Sequence, residues 1–180
     1  TIQIAIDDTH RFGTDAFLLE HFAAVRGIDT VCDLCAGCGI IGLLMLRRER
    51  PPQSVTAVGI APDAVELMRH TAEISSLTHF APLRGDLREI RTLLPAHSFR
   101  LVTCNPPYFP AGSGYLCPED SRRRARHEQK ESCTTGEVCD AAAWLLQYGG
   151  RFCLCQRPER LTDVLLAMRQ AGLEPKRLRW

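Results

Sequence analysis

The chain has 180 residues, 45% of them hydrophobic, which is enough to bury one core and too little to make two ordinary domains. Its 22 Lys and Arg nearly balance its 21 Asp and Glu, so a uniformly basic nucleic-acid binder is excluded and any polyanion must be held by a local patch. The sequence contains no apolar run of membrane-spanning length and no signal-peptide pattern. We therefore expect a single domain over residues 1–180, located in the cytoplasm and without a membrane partner.

Short apolar runs alternate along the chain with longer amphipathic ones, each closed by Gly or Pro. Residues 1–28 read as a helical lead-in, with a helix over Asp15–Val25 and Thr14 as its N-cap. Strands are predicted at Thr30–Leu34, Ser54–Ile60, Phe80–Arg84, Phe99–Cys104 and Arg151–Cys155. Helices are predicted at Ile40–Arg50, Pro62–Ser75, Leu87–Leu94, Gly136–Tyr148 and Pro158–Ala171. This alternation predicts an α/β fold, a mostly parallel sheet with helices on both faces and a ligand at the carboxyl ends of its strands.

Residues 105–135 form a long irregular stretch directly after the fourth strand, and this position predicts a substrate-side loop. The chain begins at Thr1 rather than Met and stops at Trp180, straight after an apparent starting strand, Leu173–Trp180. We therefore expect an incomplete chain whose sheet lacks its C-terminal strands. The sequence does not define an oligomeric state.

The nine cysteines are an odd number, and several lie in apolar runs typical of buried strands. Free thiols in a reducing compartment explain them most simply. Cys32, Cys35 and Cys38 have the C-x2-C-x2-C spacing of part of an iron–sulfur pattern, but the fourth Cys before Pro is absent. We expect no metal.

A glycine turn follows the first strand in the sequence Asp33-Leu-Cys-Ala-Gly37-Cys-Gly39. Glycines here let a ligand approach the backbone and the amides of the next helix. The turn is neither a GxGxxG phosphate fingerprint nor a Walker loop. Taken alone, it reads equally well as a structural turn between a strand and a helix.

A second polar site follows strand four, at Asn105-Pro106-Pro107-Tyr108. The Asn105 amide oxygen and the Pro106 carbonyl can accept the two hydrogens of a planar amino group and so orient its nitrogen for attack on a methyl group. The prolines restrict the backbone, and Tyr108 offers a ring for stacking. These four residues are the predicted catalytic set, and a rigid turn is the alternative.

The order of these two motifs resembles that of Rossmann-like S-adenosylmethionine-dependent methyltransferases, with Cys35 at the position of the family's first glycine. The resemblance implies S-adenosylmethionine as cofactor, and it implies an acid after strand two to hold the ribose, where this chain has Gly59. We therefore expect weakened cofactor binding. Asp86 matches the acid at the adenine edge, although a helix cap is an equal alternative. The implied cofactor-binding residues are Arg11, Phe12, Asp33, Cys35, Gly37, Gly39, Ile60, Asp86, Leu87 and Asn105.

Within that class the chain is similar to the bacterial tRNA(Val) adenine-N6 methyltransferases, from Arg11-Phe12 onward and most distinctively from Asn105 to Gly114 and from Arg124 to Glu128. The resemblance implies an adenine near the tRNA anticodon as substrate. A basic segment beside the predicted site could bind phosphates, or be a solvated loop balanced by its own acids: Arg122, Arg123, Arg124, Arg126 and Lys130. A glutamine-specific protein methyltransferase and a non-catalytic RNA-binding relative remain alternatives.

Overall fold

A computed structural model describes residues 2–7, 12–106 and 133–180. In these ranges the strands are β1 (Thr30–Leu34), β2 (Ser54–Gly59), β3 (Phe80–Arg84), β4 (Phe99–Cys104) and β5 (Leu146–Leu154). The helices are α1 (Thr14–Ala23), α2 (Ile40–Leu46), α3 (Pro62–Ile74), α4 (Ile90–Leu93), α5 (Thr135–Leu145) and α6 (Leu161–Gln170). Short 3₁₀ turns precede α4 at Leu87–Glu89 and α6 at Pro158–Arg160. The alternation predicted from the sequence is confirmed.

The five strands form one sheet in the order β3-β2-β1-β4-β5, and every pair is parallel. Because all five strands are parallel, their carboxyl ends lie at the same edge of the sheet. Asp33 of β1 lies in register with Ala57 of β2 on one side and with Thr103 of β4 on the other. We call the edge where the strands end the carboxyl edge. The parallel sheet and its connecting helices confirm the predicted α/β fold class.

Successive residues of the buried strands point to opposite faces of the sheet, as pleating requires. On the first face, Val31 and Leu101 join a core with residues of α1, α2 and α3. On the second face, Cys32 and Val102 join a core with residues of α4 and α5. The sheet is therefore covered on both sides, and its carboxyl edge is left for a ligand.

Helices α1 and α2 show how the observed bounds differ from those that the sequence predicts. Thr14 is the first residue of α1 rather than its N-cap, a position that Gly13 takes without a side-chain hydrogen bond. Helix α2 ends at Leu46, before the two prolines, in a tightened last turn: the Arg47 N–H is shared between the carbonyls of Leu43 and Leu44, and the Arg48 N–H donates to the carbonyl of Met45.

Strand β5 starts five residues before its predicted beginning, because the apolar run at the end of α5 continues straight into it. Leu146 turns extended and pairs with Phe99, whereas Arg151 pairs with Leu101. The intervening residues form a bulge in which Gly149 has a φ of 75°. The predicted helix over Gly136–Tyr148 is therefore wrong in its last three residues.

The predicted strand over Leu173–Trp180 is absent, since the structure assigns no regular element to these residues. Leu173 packs against the second-face core, and the Arg177 guanidinium lies 4.2 Å above the centre of the Phe22 ring of α1. The segment therefore runs across side chains instead of pairing with a strand. Among the described helices, none combines the length and the apolarity that crossing a bilayer demands.

Candidate active site

Five of the predicted site positions meet at the carboxyl edge because they follow four parallel strands. Asp33 is the last residue but one of β1 and Cys35 lies just beyond that strand, whereas Ile60 follows β2, Asp86 follows β3 and Asn105 follows β4. The register of Leu34 with Cys104 brings Asn105 beside the glycine turn at Cys35. The juxtaposition of the two motifs thus comes from strand pairing between residues about 70 positions apart.

Asp33 is fully buried, and its two carboxylate oxygens differ in their surroundings. Oδ1 accepts a hydrogen bond of 2.7 Å from the Thr103 hydroxyl of β4. Oδ2 is buried and has no hydrogen-bond partner among the described residues. Burial raises the pKa of Asp33 to about 7, against the smaller opposing effect of the Thr103 hydrogen bond. A ligand that donates a hydrogen bond to Oδ2 would therefore stabilise the carboxylate.

The glycine turn contains two glycines with a positive φ, Gly37 and Gly39, and they have different surroundings. Gly37 has a φ of 55°, and a Cβ added there would meet no atom of the described residues within 4 Å, so these residues leave its backbone open to a ligand. Gly39 has a φ of 80°, and a Cβ there would lie 2.8 Å from the Phe80 ring and 2.9 Å from the Met68 sulfur. Glycine at 39 is thus required by packing, whereas Gly37 leaves room for a small molecule.

Gly59 is the last residue of β2, where the resemblance predicts an acid. A Cβ on Gly59 would make ordinary contacts, 3.4 Å to Val65 and 3.5 Å to Met68, and its φ lies outside the left-handed region. The backbone therefore accepts a larger residue at this position. Glycine carries no carboxylate, so a cofactor's ribose hydroxyls find no side-chain acceptor at Gly59.

The Asp86 carboxylate is already occupied by Arg88. It caps the 3₁₀ turn by accepting from the Arg88 N–H at 2.9 Å, and the Arg88 Nε lies 2.9 Å from Oδ1 and 2.8 Å from Oδ2. The Arg88 hydrogen bond is the largest of the effects that lower the pKa of Asp86. The helix-cap interpretation is confirmed, and a role at the adenine edge would share the carboxylate with Arg88.

Asn105 and Pro106 are the described half of the predicted catalytic set. Asn105 is partly exposed at the end of β4, and Pro106 is buried. A small cleft beside them is lined by Pro106, Cys133, Thr135, Val138, Leu154 and Gln156. Asn105 and Pro106 thus lie at the carboxyl edge, directly after β4.

Two further predicted cofactor-binding residues in the described ranges make other contacts. Leu87 packs in the second-face core, and Phe12 lies near α1 with its ring 6.0 Å from that of Phe17. Predicted residues outside the described ranges are Arg11, Pro107, Tyr108, Arg122, Arg123, Arg124, Arg126 and Lys130. Their roles stay predictions from the sequence.

The cysteines of the C-x2-C-x2-C spacing are separated by the sheet. Cys32 belongs to the second-face core and Cys38 to the first-face core. In the described ranges, no group of three or more His, Cys, Asp or Glu residues has the geometry to hold a metal ion. Cys32 and Cys38 are thus held on opposite faces of the sheet, so the spacing does not bring these two thiols together.

Sequence reasoning overlooked two partners of site residues. Thr103 is a polar residue inside a buried strand, and that signal could have identified it as a partner of an acid on a neighbouring strand. Cys133 has its sulfur 3.8 Å from that of Cys35, but the two are 98 residues apart and no local pattern links them.

A parallel five-stranded sheet with a glycine turn after its first strand and Asn-Pro after its fourth defines a Rossmann-like methyltransferase domain. Residues 8–115 match the model of the methyltransferase small domain family, and the chain belongs to that family. Membership implies S-adenosylmethionine as the methyl donor. The resemblance stated from the sequence is confirmed.

Curated relatives carry a more particular name. The tRNA1(Val) (adenine(37)-N6)-methyltransferase of Tolumonas auensis is 30% identical over 166 residues, covering 90% of this chain and 65% of the relative. Proteins of the same name from Erwinia tasmaniensis and Escherichia coli O157:H7 are 30% and 28% identical, with 57% and 64% of their lengths covered. The chain thus spans less than two thirds of the length of these relatives.

Solved structures support the same fold. TrmN from Thermus thermophilus superimposes with a TM-score of 0.61 at 24% identity, covering 89% of this chain and 40% of that one. The precorrin-6y C5,15-methyltransferase of Geobacter metallireducens gives 0.63 at 13% identity, with 94% and 77% covered. At these identities the likeness concerns the fold.

Proposed function

We propose that the chain is an S-adenosylmethionine-dependent methyltransferase that transfers a methyl group to the N6 amino group of an adenine in tRNA. The observation that carries the proposal is the position of Asn105 and Pro106 beside the glycine turn at the carboxyl edge. The family and the printed names of the curated relatives support the reaction class and the substrate. Such a substrate places the reaction in the cytoplasm.

The cofactor's place is proposed from Asp33 and the glycine turn. The unpaired Asp33 Oδ2 accepts a donor from the methionine end of the cofactor, and the open backbone at Gly37 lets that end lie close. Asp86 accepts from the adenine amino group while keeping its contact with Arg88. These residues fit S-adenosylmethionine at both ends, and Gly59 contributes no acceptor for the ribose between them.

When bound, S-adenosylmethionine supplies an electrophilic methyl group on a sulfonium. The Asn105 amide oxygen and the Pro106 carbonyl oxygen accept one hydrogen each from the adenine amino group. Held in this way by Asn105 and Pro106, the nitrogen would present its lone pair toward the bound cofactor, which would supply the methyl group by breaking its C–S bond and would leave as a thioether, while the amino group gives up one proton. Because a stacked base cannot reach the edge, the adenine must be unpaired or flipped outward.

Residues outside the described ranges complete the proposal from the sequence alone. Tyr108 stacks on the base and Pro107 restricts the loop that carries it. The basic residues between Arg122 and Lys130 bind tRNA phosphates, which makes binding sensitive to salt.

The Asn105 variant tests this assignment. Asn105→Ala should reduce methyl transfer to tRNA by roughly a hundredfold, the loss typical of removing one positioned catalytic hydrogen bond, while cofactor affinity stays within about twofold. The measurements are transfer of a labelled methyl group to unmodified tRNA and calorimetric titration with S-adenosylmethionine. Equal loss of transfer and of cofactor binding would show a structural role for Asn105.

A protein methyltransferase acting on glutamine would require the same two hydrogen-bond acceptors. The two functions are therefore distinguished by which substrate is methylated. Unmodified tRNA and a release factor are offered to the parent chain under the same conditions. Label in the release factor alone would contradict the RNA assignment.

A further inference from the structure

Three thiols from distant parts of the chain meet at the carboxyl edge. Cys35 lies in the glycine turn, Cys104 is the last residue of β4, and Cys133 directly precedes the Thr134 cap of α5. The Cys35 and Cys133 sulfurs are 3.8 Å apart, and the Cys35 thiol also interacts with the Cys104 thiol. The contact between Cys35 and Cys133 therefore links the turn proposed to hold the cofactor to the start of α5.

Cys35 has a backbone conformation that favours glycine. Its φ is 54°, in the left-handed region that a residue with a Cβ adopts at a cost in free energy. Gly37, two residues later, adopts nearly the same φ, 55°, without that cost. Because strained residues cluster at functional sites, the backbone of Cys35 indicates that its side chain has a function.

We propose that Cys35 and Cys133 are a redox modification site, which a hydroperoxide converts into a reversible disulfide across the carboxyl edge. Cys104 is fully buried, whereas Cys35 and Cys133 are each partly exposed. An oxidant in solution therefore reaches Cys35 and Cys133 more easily than Cys104. The effect of the disulfide on the cofactor site rests on the proposed function.

The oxidation balances with one hydroperoxide as the electron acceptor. One sulfur attacks a peroxide oxygen and the O–O bond breaks, which leaves a sulfenic acid and, with hydrogen peroxide, one water. The second sulfur attacks the sulfenic sulfur, forming the S–S bond while the oxygen leaves as a second water. Two thiols thus lose two electrons and two protons, and a thiol reductant reverses the change.

Oxidation at neutral pH is expected to be slow. Hydrogen bonding to Cys104 and burial together raise the pKa of Cys35, and hydrogen bonding to Cys35 followed by burial raises that of Cys133. Because the thiolate is the reactive form, the pair rests as thiols and its oxidation accelerates as pH rises.

Closing the bond draws the glycine turn and the start of α5 together. The sulfurs have to approach from 3.8 Å to about 2.0 Å, the length of a disulfide. Residues 35–37 are pulled toward α5 by this change. We expect the oxidised chain to bind S-adenosylmethionine about tenfold more weakly, within the usual range of coupling between two sites.

The test uses the whole chain with hydrogen peroxide as the probe. After treatment, free thiols are blocked with a maleimide and the peptides are mapped by mass spectrometry. A linked peptide joining Cys35 to Cys133 is expected, lost on reduction, with cofactor affinity falling about tenfold and then recovering. Cys133→Ser should keep its cofactor affinity through the treatment. Cys155→Ser, which removes another partly exposed thiol, should behave like the parent chain.

Other outcomes overturn the proposal. A bond from Cys35 to Cys104 or to Cys117, over-oxidation without any disulfide, or a Cys35–Cys133 bond that leaves cofactor affinity unchanged would each contradict it. A chain that forms the linked peptide yet binds no S-adenosylmethionine even when reduced would instead contradict the proposed function, because the mapping does not depend on cofactor binding.

Discussion

At the scale of single residues, the buried Asp33 makes the stability of the fold depend on pH. In the unfolded chain its carboxyl group has an ordinary pKa of 3.8, whereas burial raises the folded pKa to about 7. Between these values the folded chain binds more protons than the unfolded chain, so the contribution of Asp33 to stability is fully present below about pH 4 and is lost as pH rises through 7.

Asp33→Asn should therefore be more stable than the parent chain above pH 7, because the amide keeps the Thr103 hydrogen bond and cannot ionise. The stability advantage of the variant should be larger at pH 8 than at pH 5 by on the order of 1–3 kcal/mol in the free energy of unfolding, because the parent loses stability progressively between about pH 4 and pH 7. Denaturant titrations at the two pH values measure it. If parent and variant lost stability in parallel from pH 5 to 8, burial of the Asp33 charge would not be the cause.

Gly59→Glu should tighten binding of S-adenosylmethionine by roughly tenfold, since a carboxylate there could accept from the ribose hydroxyls. The ordinary contacts of a Cβ with Val65 and Met68 indicate that the strand tolerates the change. Gly59→Gln is the matched control, similar in size but without the paired carboxylate oxygens. Calorimetry on the three proteins measures the effect, and a Glu variant no tighter than the Gln variant would refute our placement of the ribose.

At the scale of helices and strands, the sequence predicts the buried strands best. The predicted bounds of β1, β3 and β4 match the structure, because their apolar runs are bounded by polar or turn residues. The start of β5 was not predictable, since the run from Ala141 through Leu146 is apolar throughout and only pairing of Leu146 with Phe99 ends the helix. The start of α5 was readable, because Thr134 and Glu137 form a capping box.

A buried ion pair fixes the C-terminal end of α1 to β5. Arg151 lies 2.5 Å from the Asp29 carboxylate and donates to the Ala23 carbonyl at 2.7 Å. The Asp29 side chain is only 4% exposed, so without Arg151 it would be a buried charge that lacks a counter-ion and keeps the 2.8 Å hydrogen bond from the Arg26 N–H.

Arg151→Met should accordingly lower the free energy of unfolding by about 3–5 kcal/mol. The matched control is Arg160→Met, which removes an exposed arginine from its pair with Asp163 and should cost less than about 1 kcal/mol. Thermal and denaturant unfolding compare the two variants. Similar small losses in both would show that the Asp29 pair contributes no more than a surface pair.

At the scale of the whole molecule, the site is a product of parallel topology. The glycine turn and Asn105-Pro106 could be read from the sequence as motifs, and the alternation of strands and helices predicts that both lie at one edge. The contacts between Asp33 and Thr103 and between Cys35 and Cys133 could not be read, because they depend on the register of β1 against β4 and on where α5 begins. The engagement of Asp86 by Arg88 depends on a side-chain conformation that the spacing alone does not specify.

The central claim is that this carboxyl edge methylates adenine in tRNA. The most direct measurement is the nucleoside mass spectrum of unmodified tRNA incubated with S-adenosylmethionine and the purified chain, with the Asn105→Ala variant in parallel. We predict N6-methyladenosine with the parent chain and a strongly reduced amount with the variant. A parent chain that binds the cofactor yet yields no N6-methyladenosine, or a variant that yields as much as the parent, would contradict the claim.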